Sequence, residues 1–218
     1  MTQDFTDDMR TKLIAYLETH DLPAGLGNEE SACTLAAIRL AYDGQLNDDV
    51  IDCMSPVLGK AAMEMQDAMP SDMRNSTRYK NLIPNMPGTG REREAERLAI
   101  LLDWIWTVVL PQLQPIADKG GFGVEWRHMC EEKTPDAART AAAAAAGAAA
   151  ADADAAAAAA DAAARAADVT YAAYTAYAYA YAAAAAGAAA ADAARRTFWE
   201  AVDPIGVLER MTYLEGKV

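Results

Sequence analysis

Residues 134–148 read TPDAARTAAAAAAGA, and alanine stays dominant well beyond them: between Ala141 and Ala194, 38 of 54 residues are alanine. Thr134-Pro135-Asp136 has the composition of a helix start. The hydroxyl can cap, proline occupies the first helical position where no N–H is needed, and the acid faces the positive end of the helix dipole. No further proline occurs before Pro204. Alanine loses no side-chain entropy on entering a helix, so the spacing predicts helix nearly throughout 134–202. As one rod the segment would reach about 100 Å. Folded back near Ala167-Asp168-Val169-Thr170, it would form an antiparallel hairpin. The repeat AAAAAGAAAAD, at Ala142–Asp152 and again at Ala182–Asp192, suits both forms. The hairpin buries more methyl surface within one chain and is the favoured one.

The residues that interrupt the alanine sort onto faces at about 100° each. Asp154, Asp161, Arg165 and Asp168 form one narrow stripe, read as the wet face. Tyr174, Tyr177, Tyr181, Arg195 and Trp199 fall on another, read as a packing or partner-association surface, since tyrosine buries its ring and leaves its hydroxyl at the water's edge. Tyr171–Ala191 is uncharged over a length that would span a bilayer, but five tyrosines inside it oppose that reading. Threonines eleven residues apart, as an ice-binding helix would need, do not occur.

Upstream, helical periodicity returns with ordinary core residues. Phe5, Met9, Leu13, Tyr16 and Leu17 mark one helix face. Asn28 is expected to cap a second helix, with Glu29 and Glu30 in its first turn and Asp43-Gly44 at its end. Asn47-Asp48-Asp49 is expected to open a short helix through Cys53, and Ser55-Pro56 a longer one. Ser71 is expected to cap a helix containing Met73 and Tyr79. A loop at Pro84–Gly90 precedes a long helix with Leu98, Leu101, Leu102, Ile105, Trp106, Val109 and Leu110 inward. Its start, Arg91–Arg97, reads as a solvated charged face. Pro111 and Pro115 kink or end it, and a last short helix holds Trp126 and Met129. No run alternates with period two, so no strand is expected. The fold expected is all-α: a compact helical domain over 1–133, a long Ala-rich helix or antiparallel helical hairpin over 134–202, and an apolar packing tail over 203–218.

The chain has 218 residues, with 32 acids against 19 bases and a formal net charge of −13. Eleven acids against three bases lie in residues 1–52. Such a surface repels phosphate, which argues against direct contact with nucleic acid or an anionic membrane. Three cysteines, Cys33, Cys53 and Cys130, suggest no disulfide framework and a reducing cytoplasm. The N-terminus, MTQDFTDDMR, has no apolar segment of the signal-peptide kind.

No metal-ligand spacing, nucleophile elbow or phosphate loop ending in Gly-Lys-Ser/Thr occurs, so no catalytic residue, metal or cofactor is assigned. One constellation suggests a ligand. Arg74, Asn75, Arg78 and Lys80 concentrate positive charge in an acidic domain. Gly88, Thr89, Gly90 and Arg91 precede a helix, where exposed amides favour anions. Together they form a candidate anion pocket for a phosphate, a nucleotide or a partner's carboxylates.

The segments NEESACTLAAIRL at 28–40, DCMSPVLG at 52–59, QDAMP at 66–70, MRNS at 73–76 and GTGR at 88–91 resemble uncharacterised proteins encoded by bacteriophages and prophages. These join a small helical N-terminal domain to an Ala/Tyr/Asp-rich tail. The resemblance implies a phage accessory protein in the bacterial host cytoplasm and carries no assigned activity. The expected role is therefore a non-enzymatic interaction protein that binds a host factor, such as one of host defence. It is expected to form homo-oligomers through its Ala/Tyr-rich helices. Two alternatives stand beside it. One is a protein that sequesters an anionic small molecule such as a nucleotide. The other is an acidic nucleic-acid mimic that inhibits a host protein through residues 1–52.

Overall fold

The computed structural model describes residues 4–148 and 192–214. Their architecture is all-α, with a single two-residue strand pair among the described residues. The chain forms two compact units, one from the residues up to Ile100 with those from Pro204 onward, the other from Leu101 to Asp203.

The first unit begins with α1 (Asp7–Thr19), whose Thr6 hydroxyl accepts the Met9 N–H at 3.3 Å while the Met9 sulfur accepts the Thr6 N–H at 3.5 Å. Leu13 and Leu17 face inward, as their spacing predicts. Asn28 does not cap a helix. It lies in β1 (Gly27–Asn28), paired antiparallel with β2 (Ser31–Ala32). Its Oδ1 accepts the N–H groups of Glu30 and Ser31 at 2.9 and 3.0 Å. An asparagine that turns the chain back on itself competes with the helix it was expected to start. Gly27 has φ 77°, and a Cβ there would fall 1.8 Å from the Ser31 carbonyl oxygen, so no other residue fits without displacing the turn.

Cys33 instead caps α2 (Thr34–Asp43), its sulfur accepting the Ala36 N–H at 3.4 Å, and Gly44 ends the helix in the left-handed conformation. Residues 45–50 form no helix. The Asn47 side chain closes a local turn onto the Asp49 N–H at 3.1 Å. Ser55-Pro56 opens α3 (Pro56–Ala68) as read, with the Ser55 hydroxyl accepting the Leu58 N–H. The helix expected after Ser71 is two: α4 (Ser71–Arg74) and α5 (Thr77–Leu82), the second capped by Ser76, with a 3₁₀ turn at Ile83–Asn85 behind it. Asn75 divides them because its side chain is drawn away to the Leu22 backbone.

At the start of α6 (Glu94–Trp104) the solvated reading of Arg91–Arg97 fails at Arg97, while Arg91, Glu92, Ala95 and Glu96 are exposed as read. Arg97 is 3% exposed. Its guanidinium donates to the carbonyls of Met211, Thr89 and Gly90 and to Glu94. Glu94 in turn accepts the Val57 N–H at 3.0 Å, at the first turn of α3. Arg97 thus joins the 88–90 loop to the C-terminal helix Pro204–Thr212 (α12 below). That helix packs on α3 and α5 through buried Ile205, Val207, Leu208 and Met211.

The second unit continues α6 into a π turn, Ile105–Val109. Pro111 has no N–H, so the Thr107 carbonyl loses its normal partner and the helix widens by one residue. The widening changes the inward face: Trp104 is buried and Trp106 only half-buried. The Trp104 indole donates to the Val202 carbonyl at 2.6 Å. After α7 (Leu110–Gln112), the axis bends by 49° into α8 (Gln114–Gly120). There follow α9 (Gly123–Glu132), α10 (Pro135–Ala148), α11 (Asp192–Val202) and, in the first unit, α12 (Pro204–Thr212). Lys133, at φ 54°, turns the chain between α9 and α10. Thr134 caps α10 as predicted, its hydroxyl accepting the Ala137 N–H at 3.3 Å. Ala137, Ala138, Ala141 and Ala145 are buried on one side of α10, which packs on α9 and α8. The choice between rod and hairpin concerns residues that lie outside those described.

Among the described residues no single helix is long and apolar enough to cross a membrane, and one bent pair, Glu94–Gln112 with Gln114–Gly120, meets the length and composition test.

Candidate ligand-binding cleft

Within the first unit, α1 and the α4–α5 segment enclose a half-open cleft of about 430 Å³. Small-molecule sites begin at about this size. Arg10, Ile14, Leu17 and Glu18 line it from α1. Asn75, Thr77, Lys80 and Asn81 line it from the other wall, and Pro84 and Asn85 from the turn that follows.

Long-range hydrogen bonds hold the second wall. Asn75 accepts the Leu22 N–H at 2.7 Å and donates to the Ser71 carbonyl at 2.9 Å. The Lys80 ammonium donates to the His20 carbonyl at 2.8 Å, placing a cation at the negative end of the α1 dipole. Asp21 lies 3.5 Å from the same ammonium. Asn85 donates to the Asn81 carbonyl at 3.0 Å. The α1 wall is set by its end: the Tyr16 and His20 rings stack 4.2 Å apart, and the Tyr16 hydroxyl accepts the Ala32 N–H at 2.8 Å.

Several lining groups make no side-chain hydrogen bond or ion pair among the described residues. The Arg10 guanidinium lies over the Phe5 ring, 5.8 Å from its centre, and has no ion-pair partner among the described residues. Glu18 likewise has none there, and the side chains of Thr77 and Asn81 make no hydrogen bond there. Ile14 is 41% exposed, a large apolar side chain open to the cleft. The cleft thus offers one fork-shaped cation, one carboxylate, an amide, a hydroxyl and an apolar pad.

The residues of the expected anion pocket are distributed differently. Asn75 and Lys80 line the cleft. Arg74 is turned to the Leu22 and Met69 carbonyls at 3.1 and 2.8 Å. Arg78 is paired with Glu209 of α12 at 2.9 and 2.6 Å. Gly88 and Gly90 both donate their N–H groups to the Cys53 carbonyl at 3.0 Å. Thr89 accepts the Ser55 N–H and donates to the Met86 carbonyl. Arg91 is exposed. The structure does not bring residues 88–91 to the cleft.

Of the expected association face, Trp199 is 1% exposed, with its ring edge-on to Phe198 at 5.6 Å. It belongs to the packed interior of the second unit. Tyr174, Tyr177 and Tyr181 lie outside the described residues, as does the side chain of Arg195. Sequence reading missed Arg10, Ile14 and Glu18. They recur at i, i+4 and i+8, and an isoleucine off the inward face of α1 was the available sign.

Comparison with known proteins finds no matching family model, no matching curated protein and no matching solved structure.

Proposed function

We propose that the protein is a non-enzymatic binding protein whose α1–α5 cleft takes up a small polar ligand bearing an anionic group, with Arg10 as the receptor of that group. The supporting observation is that Arg10, Glu18, Thr77 and Asn81 line one cleft with no side-chain hydrogen bond or ion pair among the described residues, while Asn75 and Lys80 beside them are fixed by hydrogen bonds. Polar groups that line a cleft without a protein partner are groups a ligand can engage; Arg10 is half-buried, and Glu18, Thr77 and Asn81 are exposed. The planar guanidinium suits a carboxylate better than a lysine would, because it offers two parallel N–H groups.

The test is a thermal-shift panel of small carboxylates, amino acids, peptides and phosphates on the intact chain, followed by calorimetry of the best member. A bound ligand raises the melting temperature, and Arg10→Ala removes that ligand-induced shift, measured against the variant's own free melting temperature. A silent panel, or a shift that survives Arg10→Ala, overturns the reading.

A further inference from the structure

We infer that the ligand class of this cleft is a net-neutral zwitterion, an extended peptide of about three to four residues with free termini and an apolar middle residue. The inference rests on the cleft being a binding site, as proposed above.

Arg10, Ile14 and Glu18 stand at i, i+4 and i+8 of α1, so they share one face of the helix, all three at the cleft. The rise between the outer two is about 12 Å. No ion pair joins the Arg10 guanidinium to the Glu18 carboxylate, and neither is neutralised by another described residue. An anion and a cation separated by about 12 Å complement them. An extended chain covers about 3.3–3.6 Å per residue, so the two termini of a tri- or tetrapeptide fit that span. Ile14, 41% exposed, sits midway between the charges and offers an apolar surface to a middle side chain. The Asn81 amide carries both a donor and an acceptor, the same pair of functions that a peptide group presents.

Charge decides between this ligand and a polyanion. The chain has a formal net charge of −13, and Glu18 stands inside the cleft. A nucleotide would meet repulsion from both, whereas a zwitterion carries no net charge against the long-range field. Lys80 does not reverse this, because its ammonium is already on the His20 carbonyl with Asp21 beside it.

The experiment is calorimetry of the full chain with four compounds: the tripeptide Ala-Leu-Ala, its C-terminal amide, its N-acetyl form and a nucleoside triphosphate. The free tripeptide binds, and blocking either end weakens it about tenfold or more, the usual cost of a lost charge-assisted contact. Arg10→Ala abolishes the preference for the free carboxylate, and Glu18→Gln abolishes the preference for the free amine. A general loss of structure would not produce that exchange of selectivities. If N-acetyl and free peptides bind alike while Arg10→Ala still removes binding, the zwitterion assignment falls and the cleft reading stands. The same holds if the triphosphate outcompetes the peptide. If no compound binds, the peptide assignment falls, and the wider panel above decides the cleft.

Discussion

The two compact units are closed by different means. In the second, regular helices meet through alanine methyls and indole rings: Ala138, Ala141 and Ala145 of α10 lie in the interior with Trp126, whose N–H donates to the Leu110 carbonyl at 2.9 Å. In the first, helices and the non-helical connections between them are tied by polar side chains reaching far along the sequence. Gln66 accepts the Thr34 N–H at 2.6 Å and donates to the Pro23 carbonyl at 2.7 Å. Asn75 holds Leu22, and Arg97 holds Met211. Within a helix the backbone satisfies itself, and packing needs only a matching apolar surface. Loops leave backbone groups that another part of the chain must satisfy.

The sharpest way to break this comparison is Arg97→Ala. It strands three backbone carbonyls around an emptied site, so it should cost about 3–5 kcal/mol in urea unfolding. If Arg97→Met costs as little as a surface substitution, the polar-tie account of the first unit is wrong. The counterpart in the second unit is Ala141→Leu. An alanine with no exposed surface has no room for three more carbons, and overpacking should cost about 1–3 kcal/mol, read as a lowered melting temperature.

A third test uses pH. Burial, with the charge of Asp67 adding to it, pushes the Glu64 carboxyl up from 4.5 to about 7. Asp67 is raised too, chiefly by burial, although the Gly25 N–H it accepts at 2.7 Å acts the other way. A group that holds its proton more tightly folded than unfolded favours the fold at low pH. Stability therefore falls as pH rises from about 4.5 towards 7. Glu64 is about half-buried, so solvent screening limits its share to roughly 1 kcal/mol. Glu64→Gln should flatten that slope in urea titrations at a series of pH values. A slope unchanged by the substitution would place the origin elsewhere. The smallest effect belongs to Arg78→Ala. The Arg78–Glu209 pair is well formed but one-third to one-half exposed, so its loss should cost less than about 1 kcal/mol. A larger loss would show that α12 is pinned by this pair rather than by its apolar face.

Local chemistry was legible wherever one residue and its near neighbours decide the outcome. Thr134-Pro135, Ser55-Pro56 and Asp43-Gly44 mark helix ends as their side chains and backbone preferences require. Asn28 and Asn47 were misread for a common reason. An asparagine can cap a helix, close a turn or reach a distant backbone, and only the path of the surrounding chain selects among these. Arg97 was misread because a charged residue beside other charges reads as wet. Yet it stands four residues before buried Leu101, on the face that turns inward. The candidate cleft was half legible. Lys80 and Asn75 drew attention as part of a polar cluster. The α1 residues opposite them lie more than fifty positions away, and nothing local brings the two walls together.

The amino-acid sequence alone determined that the described part of this chain is helical and where α3 and α10 begin. Helix propensity, capping and proline act within a few residues and need no partner. Tertiary structure decided which polar groups became internal ties and which were left facing the cleft. That choice depends on which carbonyls and amides of remote segments arrive beside them, and no local pattern encodes that arrival.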